Sequence, residues 1–162
     1  MKKYYILFFT ILFLDQLTKH IVIRNIPYQG FIPVIGDGSG LFNLVFVKNT
    51  GVAFSAFTGN NTFFLVLASL IVIAAITWAL FNRARLSVLQ LTALTFITSG
   101  GAGNVIDRIL HGGVVDFLDF GIGSRRWPSF NVADSSICIG AALLFISIIF
   151  FDKPAKPATN PE

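Results

Sequence analysis

Four long apolar stretches constrain the fold of this chain more than any other feature of its sequence. They occupy residues 4–23, 62–81, 86–110 and 133–151. A helix that crosses the hydrocarbon core of a bilayer needs about 20 consecutive apolar residues. The composition agrees, because 54% of the 162 residues are hydrophobic, only 12% are charged and the mean hydropathy is +0.75. The sequence therefore predicts an all-α membrane protein with four transmembrane helices and excludes a water-soluble domain.

The connections between these stretches predict a small β-rich region. The first, at about 25–61, contains several prolines and glycines that indicate turns, and residues 41–47 are rich in the branched and aromatic residues typical of strands. The second connection covers about 111–132. We expect one integral membrane domain over residues 1–152 and a short, proline-rich, disordered cytoplasmic tail at 153–162.

Lysines and arginines predict the orientation. Their number is equal on the two sides of the predicted membrane, but on one side they crowd three short segments, as Lys2, Lys3, Arg83, Arg85, Lys153 and Lys156. Short segments dense in Lys and Arg stay in the cytoplasm, so both termini should be cytoplasmic and both long loops extracytoplasmic. The net charge of +4 does not indicate nucleic-acid binding, because the basic residues are scattered and form no stripe.

The first apolar stretch contains two charges that need an explanation. Asp15 and Lys19 are four residues apart, so they lie on one helix face and can pair. An ionisable group inside a span costs about 2.5 to 3.5 kcal/mol and normally faces a bundle interior or a watery cavity. The pair is either an interfacial ion pair that snorkels to the membrane surface or the support of a polar site near that surface.

Residues 103–134 concentrate the polar groups of an otherwise apolar chain, with four aspartates, three arginines, one histidine and two asparagines. Asn104 and Arg108 are four residues apart and share a helix face beside a run of small residues. Asp116 lies in a short extended apolar run. Asp134 opens the fourth stretch, where the positive end of the helix dipole favours an ionised carboxylate.

Two of these aspartates can form a catalytic pair. If the 17 residues between Asp116 and Asp134 fold back, the two carboxyls share a site in which one keeps its proton. One group then activates water as a general base and the other protonates a leaving amine, as in aspartic proteases. Loop aspartates also serve as turn formers, and Asp119 competes as a partner of Asp116.

Two other classes of function remain open at this point. A lipid-phosphate enzyme could use Asp116, Asp119 and Asp134 to bind Mg²⁺, which prefers carboxylate oxygens, and chelators would then abolish its activity. A small ion-coupled transporter could use intramembrane charges as a relay, which requires a polar path through the cytoplasmic half of the membrane. The residues available for such a relay are Asp15, Lys19, Asp107 and Arg108.

Five sequence blocks, taken together, resemble the lipoprotein signal peptidases, the type II signal peptidases of bacteria. The blocks are D-Q-x-T-K at 15–19, N-T-G-V-A-F-S at 49–55, G-N-V-I-D-R at 103–108, G-V-V-D-F at 113–117 and F-N-V-A-D-S at 130–135. Their order and spacing, the chain length and the four-span layout agree with the family over nearly the whole chain. Val52 stands where the family commonly has alanine, which bears on the shape of the outer loop and not on the aspartates.

The resemblance implies an intramembrane aspartic endopeptidase of the bacterial cytoplasmic (inner) membrane. Such an enzyme cleaves the signal peptide from diacylglyceryl-modified prolipoproteins just before the lipidated cysteine, without a metal or other cofactor. Asp116 and Asp134 match the catalytic pair. The residues that match the family's site-lining and supporting positions are Asn104, Arg108, Asn131, Ala133, Asn49, Gly51, Asp15 and Lys19. Prolipoprotein and membrane lipids are the expected partners of a monomeric enzyme.

Three smaller expectations concern polar residues near the predicted site. Arg108 either binds the substrate backbone or ester carbonyls or simply pairs with Asp107. His111 should be a loop residue without a catalytic role. Residues 125–127, Arg-Arg-Trp, are typical of an anchor at the level of the lipid headgroups.

Overall fold

The computed structural model describes residues 1–51 and 60–151. These residues form four helices: α1 (Lys2–Asn25), α2 (Asn61–Asn82), α3 (Val88–His111) and α4 (Val132–Phe150). They also form four strands: β1 (Phe31–Ile35), β2 (Phe42–Asn49), β3 (Val114–Ile122) and β4 (Arg125–Arg126). The predicted strand at 41–47 is confirmed as β2. The predicted tail at 153–162 and the departure at Val52 lie outside the described residues.

Local sequence sets the ends of α3. Ser87 and Gln90 form a capping box, in which the Ser87 side chain accepts from the Gln90 amide and the Gln90 side chain accepts from the Ser87 amide. The helix ends at His111 because Gly112 takes a left-handed conformation, with φ of 69°, which glycine adopts without a steric penalty. His111 is therefore the last helical residue and not part of the loop.

Helix α3 is the centre of the helical bundle, since it packs against α1, α2 and α4. Glycines allow this close packing. A Cβ added at Gly100 would collide with the carbonyl oxygen of Ala133, and one at Gly140 would lie 2.6 Å from the carbonyl oxygen of Ala93. Small residues let helix backbones approach within a membrane. Here the glycines allow the close contact between α3 and α4, and Gly100 packs against Ala133, the residue before Asp134.

The strands form one antiparallel sheet in the order β1-β2-β3-β4. Its register pairs Val47 of β2 with Asp116 of β3, across an irregularity between Leu44 and Val47. Beyond β4 the chain returns to β3, where Phe130 exchanges backbone hydrogen bonds with Leu118 at 2.8 and 3.1 Å. This return places residues 131–134 beside Asp116.

Three of the four helices are long and apolar enough to cross a membrane, namely α1, α2 and α4. Helix α3 has the length that the sequence predicted, but its second half contains Asn104, Asp107, Arg108 and His111, and it is not one of these three candidates. Over residues 1–51 and 60–151 the fold is thus helix-rich, with a small antiparallel sheet and three candidate spans.

Candidate active site

Asn131 links the two aspartates that the sequence singled out. Its Nδ2 donates to Asp116 Oδ1 at 2.8 Å, while its Oδ1 accepts from the backbone N–H of Asp134 at 2.8 Å. Asn131 is the N-cap of α4 and is fully buried. The same amide therefore caps the helix that carries Asp134 and holds the carboxylate of Asp116 on β3.

Asn104 of α3 completes this network. Its Nδ2 donates to Asp134 Oδ1 at 2.8 Å, and its Oδ1 lies 3.5 Å from Asn131 Nδ2. Residues from α3, β3 and the start of α4 thus meet at one site. The chain between Asp116 and Asp134 therefore folds back, which is the condition that the sequence analysis set for a shared site.

Burial sets the acidity of Asp116, whose residue is only 3% exposed. Loss of water, followed by the negative charge of Asp134, raises the pKa of Asp116 to about 7. Hydrogen bonds from Asn49 and Asn131 oppose that rise by stabilising the ionised form. A carboxyl in this state holds a proton near neutral pH and can also release it.

Arg108 contacts the backbone just beyond β2. Its Nη2 donates to the carbonyl oxygen of Gly51 at 2.8 Å, and the Gly51 N–H donates to Asn49 Oδ1 at 3.0 Å. Among the described residues Arg108 forms no ion pair with Asp107, so that predicted alternative is wrong. Its buried Nε has no hydrogen-bond partner in the described part of the chain.

Asp15 and Lys19 form an ion pair at 2.8 Å, as their spacing predicted. They are 0% and 1% exposed, so the interpretation as a snorkelling interfacial pair is wrong. Lys19 also pairs with Asp107 at 2.7 Å, which explains why Asp107 does not pair with Arg108. Asp15 accepts the backbone N–H of Ala133 at 2.8 Å, so the pair supports the start of α4.

The sequence singled out Asp107 and the block that contains Gln16, but neither residue was assigned to this site. Gln16 donates to Asp15, to Asp107 and to the carbonyl oxygen of Gly103 at 3.0 to 3.3 Å. Asp107 follows Asn104 by three positions, and this helical spacing was the available signal for it. The signal for Gln16 was its place in the D-Q-x-T-K block at residues 15–19.

Asp119 belongs to a separate structural contact. It accepts from Arg126 Nε at 2.7 Å and from Asn43 Nδ2 at 3.0 Å. Arg126 is therefore the partner of a carboxylate within the sheet. Trp127 is 64% exposed, and the headgroup anchor at residues 125–127 stays a prediction. In the described ranges no three acidic, histidine or cysteine side chains could hold a metal ion together.

Comparisons with known proteins identify the family of this chain. The sequence model of the family described as Signal peptidase (SPase) II matches residues 7–150. A lipoprotein signal peptidase of Bacillus pumilus is 38% identical over 157 residues, covering 97% of this chain and 99% of the relative. One from Azoarcus is 42% identical over 153 residues, covering 92% and 83%. A solved structure described as a bacterial membrane enzyme, 30% identical, superposes with a TM-score of 0.82 over 96% of both chains.

Proposed function

This chain belongs to the signal peptidase II family, and from that premise we propose that Asp116 and Asp134 are its catalytic pair. The enzyme is an aspartic endopeptidase that removes the signal peptide from diacylglyceryl-modified bacterial prolipoproteins. The observation that carries the proposal is the single buried amide of Asn131, which binds the carboxylate of Asp116 and the backbone of Asp134 at 2.8 Å each.

The pair works by dividing acid and base roles. The ionised carboxyl takes a proton from a water molecule, whose oxygen attacks the carbonyl carbon of the scissile peptide bond. The protonated carboxyl stabilises the developing oxyanion and then supplies a proton to the amine of the lipidated cysteine as the C–N bond breaks. The products are a signal peptide with a new carboxylate and a lipoprotein with a free N-terminal amine.

Arg108 is proposed to bind the substrate. Its Nη2 is occupied by Gly51, but its buried Nε is a donor without a partner in the described residues. A buried donor left unpaired costs about 1 to 3 kcal/mol, and a carbonyl oxygen of an extended substrate would remove that cost. Both aspartates lie within electrostatic reach of the guanidinium, so a carbonyl bound there would lie beside the pair.

The layout in the membrane is also a proposal. We place α3 as a fourth span, with both termini in the cytoplasm and the site near the extracytoplasmic face of the inner membrane. Crowding of Lys and Arg into the short segments supports this orientation. A substrate held in the bilayer by its lipid would reach such a site laterally.

The function is tested with a synthetic prolipoprotein peptide whose cysteine carries a diacylglyceryl group. Incubated with the purified protein in the presence of a chelator, the peptide should be cut just before the cysteine, as read by mass spectrometry. The matched control is the same peptide without lipid, which should be cut at least tenfold more slowly. Equal rates for the two peptides would refute the substrate assignment, and inhibition by the chelator would favour the Mg²⁺-dependent alternative.

A further inference from the structure

The two catalytic aspartates are preceded by residues that are held in the same way. The backbone N–H of Ala133, which precedes Asp134, donates to Asp15 Oδ1 at 2.8 Å. The backbone N–H of Val115, which precedes Asp116, donates to Asp107 Oδ2 at 3.0 Å. Each aspartate is thus adjacent in the chain to a backbone group held by a buried carboxylate.

Lys19 joins these two carboxylates. Its Nζ lies 2.8 Å from Asp15 Oδ2 and 2.7 Å from Asp107 Oδ2, and all three residues are at most 1% exposed. Because two buried carboxylates this close would repel each other, the ammonium group is what allows both to accept N–H groups while ionised.

The third N–H of Lys19 influences Asp134 through the side chain of Asn104. It donates to Asn104 Oδ1 at 3.3 Å, which leaves Asn104 Nδ2 to donate to Asp134 Oδ1 at 2.8 Å. An amide can be turned in either sense, and an ammonium group on one side fixes which end is the oxygen. Lys19 therefore also sets the donor that Asp134 receives.

Resting on the proposed function, we infer that Lys19 is a positioning residue that sets the separation of Asp116 and Asp134. It touches neither the substrate nor the reacting atoms. It acts by tying together the carboxylates of α1 and α3 that hold Val115 and Ala133. These contacts connect β3, which carries Asp116, to α4, which carries Asp134. Their loss changes the rate of the chemical step more than it changes substrate binding.

The first test compares Lys19→Met with Arg126→Met. The ion pair between Arg126 and Asp119 also spans 2.7 Å, but neither residue holds the backbone next to the pair. Misplacement of reacting groups by about 1 Å costs about 100-fold, so kcat of Lys19→Met should fall about 100-fold with KM within about threefold. Arg126→Met should lower Tm and keep kcat within about twofold. The inference would be overturned by equal kcat values for the two variants, or by a Lys19→Met variant with a lower Tm and an unchanged kcat.

A second test remains informative if Lys19→Met does not fold. Asp107→Asn keeps an oxygen that can accept the Val115 N–H, whereas Asp107→Leu has a similar volume and no acceptor. We expect kcat of the asparagine variant to exceed that of the leucine variant by at least tenfold, with similar KM. The same kcat in both would contradict the inference. A wild-type protein that leaves the lipidated peptide uncut would instead refute the proposed function itself.

Discussion

Asp116 combines deep burial with the charge of a neighbouring carboxylate. These two effects raise its pKa to about 7, from an ordinary value of 3.8. The charge of Asp134 contributes to the rise, so the two carboxyls interact. Above about pH 7, Asp116 is ionised and has no proton to supply to the leaving amine.

The prediction at this scale is an alkaline decline in activity. Between about pH 5 and about pH 9, kcat/KM for the lipidated peptide should fall above pH 7 by about tenfold per pH unit. Stability should follow the same group, because a native pKa above the ordinary value makes the free energy of unfolding decrease as pH rises from about 4 to about 7. Asp116→Asn lacks this titration, so its Tm should rise relative to wild type over that range. A kcat/KM that stays constant to pH 9 would contradict the assignment of the acid.

At the scale of elements, the start of α4 performs two tasks through Asn131. The residue caps the helix, and it holds Asp116 on another element. Serine also caps helices well, but its short side chain cannot bind Asp134 N–H and Asp116 together. The two tasks can therefore be separated by substitution.

We predict that Asn131→Ala lowers the free energy of unfolding by about 1 kcal/mol through loss of the cap. Asn131→Ser should keep most of that stability. Both variants should lose activity by about 10- to 100-fold, because Asp116 loses its donor. Thermal unfolding and cleavage of the lipidated peptide measure the two effects separately. A serine variant with wild-type kcat would show that the contact with Asp116 is dispensable.

The helices and β2 were predictable because their signals are local. Apolar length indicates a helix, and branched residues between turns indicate a strand. Spacing of four residues also predicted the pairing of Asp15 with Lys19. The remaining contacts join residues distant in sequence, so periodicity carries no information about them. Asp107 forms an ion pair with Lys19 of α1 and not with the adjacent Arg108, and Arg126 forms an ion pair with Asp119. Tertiary packing decides between partners that the sequence leaves equivalent.

For the molecule as a whole, access of a lipid-anchored substrate to the site depends on the position of the site in the membrane. Helix α3 joins the basic turn near Arg85 to the sheet, so it crosses the bilayer if these two regions lie on opposite sides. Both regions offer exposed positions, Arg85 in the turn and Ser39 between β1 and β2. Cys138 is exposed on α4 and must be replaced before any thiol labelling.

In a Cys138→Ser background, Ser39→Cys should react with a membrane-impermeant thiol reagent added to intact spheroplasts. Arg85→Cys should react only after the membrane is permeabilised, because the short basic segments stay in the cytoplasm. Labelling of both positions from outside would exclude α3 as a span. The reverse pattern would place the site on the cytoplasmic face.

Asp116 and Asp134 are proposed to cut the peptide bond together. The direct measurement is the rate of cleavage of the lipidated peptide by wild type, Asp116→Asn and Asp134→Asn, with Asp119→Asn as a matched control from the same segment. Loss of an acid or base group costs about 10² to 10⁴-fold, so both dyad variants should lose at least that much while remaining folded. Asp119→Asn should cleave within about threefold of wild type. Cleavage at an undiminished rate by either dyad variant would contradict the assignment.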